Sequence, residues 1–246
     1  MAIGRWVRRT AAAASLLALA LALLAAFPQP LFSYAFSHAN YRVRSDRPID
    51  PMIVGVLDDA SRRLRTSDLY DPRVPIRIFI CNDSWRLWLY ARSGTIGGST
   101  DTLVTRNIYL READIAANRL VPPSGTLADA EARPLSYFIA HEAAHAIQSR
   151  AFGRLMRVRY PNWLVEGHAD LIAKGGDFDF EENLQLLQRD DPRLDHGRSG
   201  LYRGYHLMVA FLTGRRGWTV RGLFADPPAE EDVLRAMRTA RPASAG

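Results

Sequence analysis

The pentapeptide His141-Glu142-Ala143-Ala144-His145 constrains this chain more than any other stretch of it. Residues i and i+4 of an α-helix share one face, a turn apart, so two imidazoles at that spacing reach one metal ion when 141–145 is helical. Glu142 is rotated by about 100° from His141. Its carboxylate then stands beside a metal-activated water rather than on the metal, and can take a proton from it near neutrality. The flanking residues suit a helix. Pro134 fits a first turn, Leu135, Phe138, Ile139 and Ile147 recur along one broad side, and Gly153 follows Phe152 as a stop.

A catalytic zinc site needs a third protein ligand and one open position. Twenty residues separate His145 from Glu166 in Trp163-Leu164-Val165-Glu166-Gly167-His168-Ala169-Asp170. That is enough for the first helix to end, a loop to turn, and a helix opened by Pro161 to return a face to the metal. HExxH followed by W-L-x-E-G-x-A resembles the gluzincins, a family of zinc peptidases, over residues 134–174. The gap between the two segments is a residue or two longer than in the best-known members.

The resemblance implies one Zn2+ per chain on His141, His145 and Glu166, with Glu142 as general base. It implies that Asp170 accepts a hydrogen bond from the free ring N–H of His141, which would fix that tautomer. It also implies an oxyanion donor from a later helix, for which Tyr202, Tyr205 and His206 are the candidates. A strand that pairs with extended substrate is expected too, and residues 102–110 are the positional candidate. His168 lies two residues past Glu166 and projects about 200° away, so it is the weaker ligand candidate. Two histidines and one carboxylate also serve non-haem iron, but the histidine pair flanking Glu142 favours zinc hydrolysis. The G-x-M-E-N motif that captures an α-amine is absent, which argues for an endopeptidase.

The first thirty residues read as an address. Arg5, Arg8 and Arg9 precede an uncharged apolar stretch, 10–27, ended by Pro28 and Pro30. Its 18 residues would reach about 27 Å as a helix, close to a hydrocarbon core. A spanning anchor (1–30) is expected, single-pass in the cytoplasmic membrane with the catalytic domain facing outward. A cleaved signal peptide and a secreted domain is the competing possibility. Residues 31–47 read as a juxtamembrane linker, 48–240 as the zinc peptidase-like domain, and 241–246 as a small-residue tail.

The rest of the chain is globular in composition, 48% hydrophobic and 24% charged, with a net charge of +6 carried almost wholly by Arg. No Arg run is interleaved with aromatics, so nucleic acid is not expected as a partner. The lone Cys81 sits in an apolar run and reads as core, with no intramolecular disulfide possible. Asp177, Asp179, Glu181 and Glu182 match no EF-hand spacing and read as a solvated helix start. Residues 50–64 suit a helix begun by Asp50-Pro51, 75–81 and 102–110 suit strands, and 94–99 suits a flexible loop. Helical patterns recur at 180–189, 200–213 and 229–238.

The expected fold is therefore α+β: an anchor, a small sheet packed on the HExxH helix, and a mainly helical C-terminal half. The expected activity is hydrolysis of a peptide or protein substrate. A non-protein amide hydrolase and a catalytically silent, membrane-tethered binding module are the alternatives.

Overall fold

The structure is a computed structural model, and it describes residues 2–122, 133–194 and 202–241. Helix α1 (Ala2–Ala26) comes first. Among the described residues no helix is long and apolar enough to cross a membrane. This overturns the expected anchor, and with it the single-pass placement of the domain outside a cytoplasmic membrane. The uncharged part of α1 within the helix is residues 10–26, about 26 Å at 1.5 Å per residue, against about 30 Å of hydrocarbon. Nine of those 17 residues are Ala, which contributes little apolar surface.

A five-stranded mixed sheet follows, with spatial order β1-β2-β3-β5-β4. Strands β1 (Tyr34–His38) and β2 (Tyr41–Ser45) form an antiparallel hairpin. The hairpin occupies the stretch expected to be a linker. Its β2 runs parallel to β3 (Ile76–Cys81), which runs parallel to β5 (Ile108–Arg111). Strand β4 (Gly98–Thr100) adds antiparallel to β5 and forms the sheet edge. A two-stranded ribbon, β6 (Ala113–Asp114) and β7 (Arg119–Leu120), stands apart.

Alternation along the strands divides the sheet into two faces. Ile76, Ile78, Ile80, Ile108 and Leu110 point into the main core. Phe79, Cys81 and Tyr109 point the other way, where Phe32 and Leu87 of α3 (Ser84–Ala91) cover them. The main core is closed by α2 (Ile53–Leu64) and by α4 (Leu135–Phe152), the helix that carries HExxH.

Helix α4 differs from the amphipathic helix its sequence suggests. Every residue from Leu135 to Ser149 except Phe138 is buried. The helix runs through the middle of the molecule, and Ala140, Ala143, Ala144 and Ala146 let neighbours approach closely. A short helix α5 (Met156–Arg159) leads to α6 (Asn162–Lys174). Beyond it, α7 (Phe180–Gln188), α8 (Arg203–Ala210), α9 (Val220–Ala225) and α10 (Glu230–Arg238) pack with α6 around a second core centred on Trp163, Leu207 and Phe224. Asp179 caps α7 through its side chain, accepting from the Glu182 N–H, so the acidic cluster serves a helix start.

Candidate metal centre

Helix α4 brings His141 and His145 to one side with ring centroids 4.9 Å apart and planes nearly perpendicular. Helix α6 delivers Glu166 between them. Its Oε2 lies 3.2 Å from His141 Nε2 and 3.3 Å from His145 Nε2. One ligand atom from each of the three residues lies within 4.8 Å of the others, and all three residues are buried. This trio could hold a metal ion.

Gly167 makes that approach possible. A Cβ there would lie 2.3 Å from the Tyr205 carbonyl oxygen, so α6 and α8 meet backbone to backbone immediately beside Glu166. Arg157 holds the other carboxylate oxygen, Oε1, at 2.9 Å. Oε2 is left to the histidines.

The chemistry of the donor set fits a cation. An imidazole nitrogen without its proton presents a lone pair and a carboxylate presents only lone pairs, so either a proton or a metal cation between them satisfies both. Burial opposes charging of His141, but the hydrogen bond and negative charge of Glu166 outweigh it and raise the His141 pKa. Burial would likewise raise the Glu166 pKa, yet the two histidines hold it well below the usual carboxylate range. His141 Nδ1 is buried with no hydrogen-bond partner among the described residues.

Glu142 stands beside this trio, not in it. Its Oε2 lies 2.7 Å from Thr100 Oγ1, which is equally close to the Glu142 main-chain oxygen. Strand β4 is pressed onto the helix here. A Cβ on Gly98 would meet Leu110 Cδ2 at 2.8 Å and Glu142 Cγ at 2.9 Å. Glycine at 98 is thus a packing requirement. A cleft of about 850 Å³ opens over the trio, with β4 along one wall and His141, Glu142, His145, Glu166 and Tyr202 on its floor and sides.

The strand expectation is corrected here. Residues 102–110 do not form the edge, because β5 is flanked by β3 and β4. Asp101 instead folds the first part of that stretch into a loop, its carboxylate accepting from the backbone N–H groups of Leu103, Val104 and Thr105. The edge is β4, drawn from the glycine-rich segment that reads as a loop.

Asp170 lies elsewhere than expected. It is fully buried and does not meet His141. Its Oδ1 accepts from the Tyr137 hydroxyl and, at 3.4 Å, from Arg133. Its Oδ2 pairs with Lys174 Nζ at 2.6 Å and His206 Nδ1 at 3.0 Å. Burial would raise its pKa, but the His206 hydrogen bond and the Lys174 and Arg133 charges hold it well below the carboxylate range. Asp170 therefore ties α4, α6 and α8 together.

His206 is engaged in that network and stacks on Phe178 with centroids 3.6 Å apart, so it turns away from the cleft. Tyr205 packs against the second core. Tyr202 lines the cleft and stacks on His141, centroids 5.7 Å apart and planes within 9°. Burial and the nearby Glu166 and Glu142 charges raise its pKa, so its phenol stays protonated. His168 faces the second core edge-on to Phe224, is pushed down to about 4 by burial and the neighbouring His145, and is no ligand.

Several contributors escaped sequence reasoning. Thr100, Gln148 and Arg157 each touch a site residue, yet none belongs to a motif. Gln148 had one detectable signal, since i+3 from His145 places it on the same helix face. No family model, curated protein or solved structure matches this chain.

Proposed function

We propose that the chain is a zinc-dependent hydrolase of peptide bonds, with one Zn2+ held by His141, His145 and Glu166. The observation that carries this is the convergence of three buried ligand atoms under a cleft that also presents Glu142 and a sheet edge. Zinc bound there would act as a Lewis acid and lower the pKa of a water towards about 7.

The chain's own residues supply the remainder. Glu142 takes the proton of the attacking water as its oxygen adds to the scissile carbonyl, then delivers that proton to the departing amine nitrogen as the C–N bond breaks. Thr100 holds the Glu142 carboxylate in one orientation for both transfers. The Tyr202 hydroxyl donates to the oxyanion that develops on the former carbonyl oxygen. The free side of β4 pairs with an extended substrate backbone, which gives register without side-chain specificity.

The test compares metal content and turnover of wild type, Glu166→Ala and Glu142→Gln on an unfolded polypeptide substrate. The expected pattern is near one zinc in wild type and in Glu142→Gln, and much less in Glu166→Ala. Turnover in Glu142→Gln should fall by about 10²–10⁴-fold. Glu142→Gln at wild-type activity would sink the general-base assignment. A wild type that takes up no zinc after incubation with the metal would remove the hydrolase reading.

A further inference from the structure

We infer that Gln148 is a positioning residue for the metal centre: it fixes the Nδ1–H tautomer of His145, so that Nε2 presents its lone pair to the metal, and ties the backbone beside Glu166 to the same helix. The inference rests on the metal-site reading above and goes beyond it.

Gln148 is completely buried and makes three contacts. Its Nε2 donates to the Val165 carbonyl oxygen at 2.8 Å. The same amide nitrogen is 3.1 Å from His168 Nδ1. Its Oε1 is 2.9 Å from His145 Nδ1. The Val165 carbonyl can only accept. An amide turned the other way would press Oε1 against that oxygen at 2.8 Å, two acceptors in a dry interior. Val165 therefore sets the amide orientation. With Oε1 facing His145, Nδ1 must carry the proton, and Nε2 is left to face Glu166.

A second consequence follows from the Val165 contact. Val165 precedes Glu166 on α6, while Gln148 follows His145 by one turn on α4. One side chain thus links the tautomer of one ligand to the backbone position of another. His168, placed by sequence as a rival ligand, completes the amide's hydrogen bonds instead.

The experiment measures Zn2+ affinity by competition with a chromophoric chelator for wild type, Gln148→Met and Gln148→Glu, with far-UV circular dichroism and the melting temperature of each metal-free protein. Met keeps the length and removes the acceptor. Glu keeps an acceptor for His145 and loses both donations. Gln148→Met should bind zinc about 10–100-fold more weakly. Gln148→Glu should melt lower than wild type yet stay within a few-fold of wild-type affinity. Equal zinc affinity in wild type and Gln148→Met overturns the inference while leaving the metal site standing. Equal loss in both variants makes Gln148 a purely structural tie and also overturns it. A measurement that needs no variant is the 15N spectrum of zinc-loaded wild type. Ligation of His145 through Nε2, with a protected Nδ1–H, supports the assignment, and ligation through Nδ1 refutes it. A wild type that binds no zinc removes both this inference and the hydrolase reading.

Discussion

Replacing Gly167 by alanine tests the junction on which Glu166 depends. The new Cβ would sit 2.3 Å from the Tyr205 carbonyl oxygen, 2.6 Å from its carbonyl carbon and 3.0 Å from Val209 Cγ2. The two nearest atoms are backbone and cannot rotate away. Opening the first contact to even 3.0 Å requires α6 and α8 to part by about 0.7 Å, and a gap of that size forfeits about a quarter to a half of each dispersion contact along the seam. Overpacking of this kind costs about 1–3 kcal/mol. Against it stands the gain of alanine over glycine in a helix, about 1 kcal/mol. The clash outweighs the gain over most of that range, and a net loss of up to about 2 kcal/mol should lower the melting temperature by up to about 8 °C. Gly55 provides the control. It lies in α2, is exposed, and a Cβ there meets nothing within 4 Å. The same substitution at Gly55 should stabilise by about 0.4–1 kcal/mol. Thermal melts of both variants decide the matter. Gly167→Ala melting at or above wild type would refute the backbone contact.

Three further outcomes are expected. Tyr202→Phe should reduce turnover by about 10²–10³-fold at unchanged zinc content, since it removes one oxyanion donor, whereas Tyr205→Phe should leave turnover near wild type; equal losses would misplace the donor. His168 is held neutral by burial and by His145, its pKa lowered to about 4 from an unfolded value near 6.5. Its contribution to stability is complete above pH about 6.5 and is lost as pH falls towards 4, a change of about 3 kcal/mol; urea titrations across that range should lose this slope in His168→Leu. Burial and the Asp46 charge push the Cys81 thiol up to about 12, so it should resist a disulfide reagent at pH 8 in native protein and react on unfolding; rapid native labelling would contradict its place under α3.

The elements that sequence revealed best are those whose boundaries carry local chemistry. Gly153 and Pro161 bracket the turn between α4 and α6, and both helices lie within a residue of the expected ranges. The two histidine candidates came from fixed spacing on α4 and Glu166 from the family resemblance, and the structure brings the three together. The β-hairpin at 34–45 was missed because its strands are short, with exposed Arg42 and half-buried Arg44 at alternate positions of β2, so the apolar signal is faint. Strand β4 was missed because glycine reads as loop, whereas Gly98 is there to admit Leu110 and Glu142. Asp170 carried a family expectation, yet apart from Lys174 on its own helix its partners come from α4, from α8 and from Arg133 ahead of α4. Only Lys174, four residues on, is recorded by spacing; Tyr137, Arg133 and His206 are not. The long apolar stretch in α1 satisfied a count of uncharged residues, and alanine content was the property that count ignored.

The central position of α4 has a consequence for how the protein breathes. Amide protons of a surface helix exchange with solvent through local opening, but those of a helix buried along nearly its whole length, with only the cleft touching it, exchange chiefly when the surrounding structure opens. The amides around His141 and His145 should therefore be among the slowest in the molecule, with opening free energies that approach that of global unfolding. A ligand bound at these side chains, and not to the unfolded chain, would stabilise the whole fold by RT ln(1 + [L]/Kd). Slowed exchange across the sheet and the helical half alike would then be the signature of occupancy at one small site.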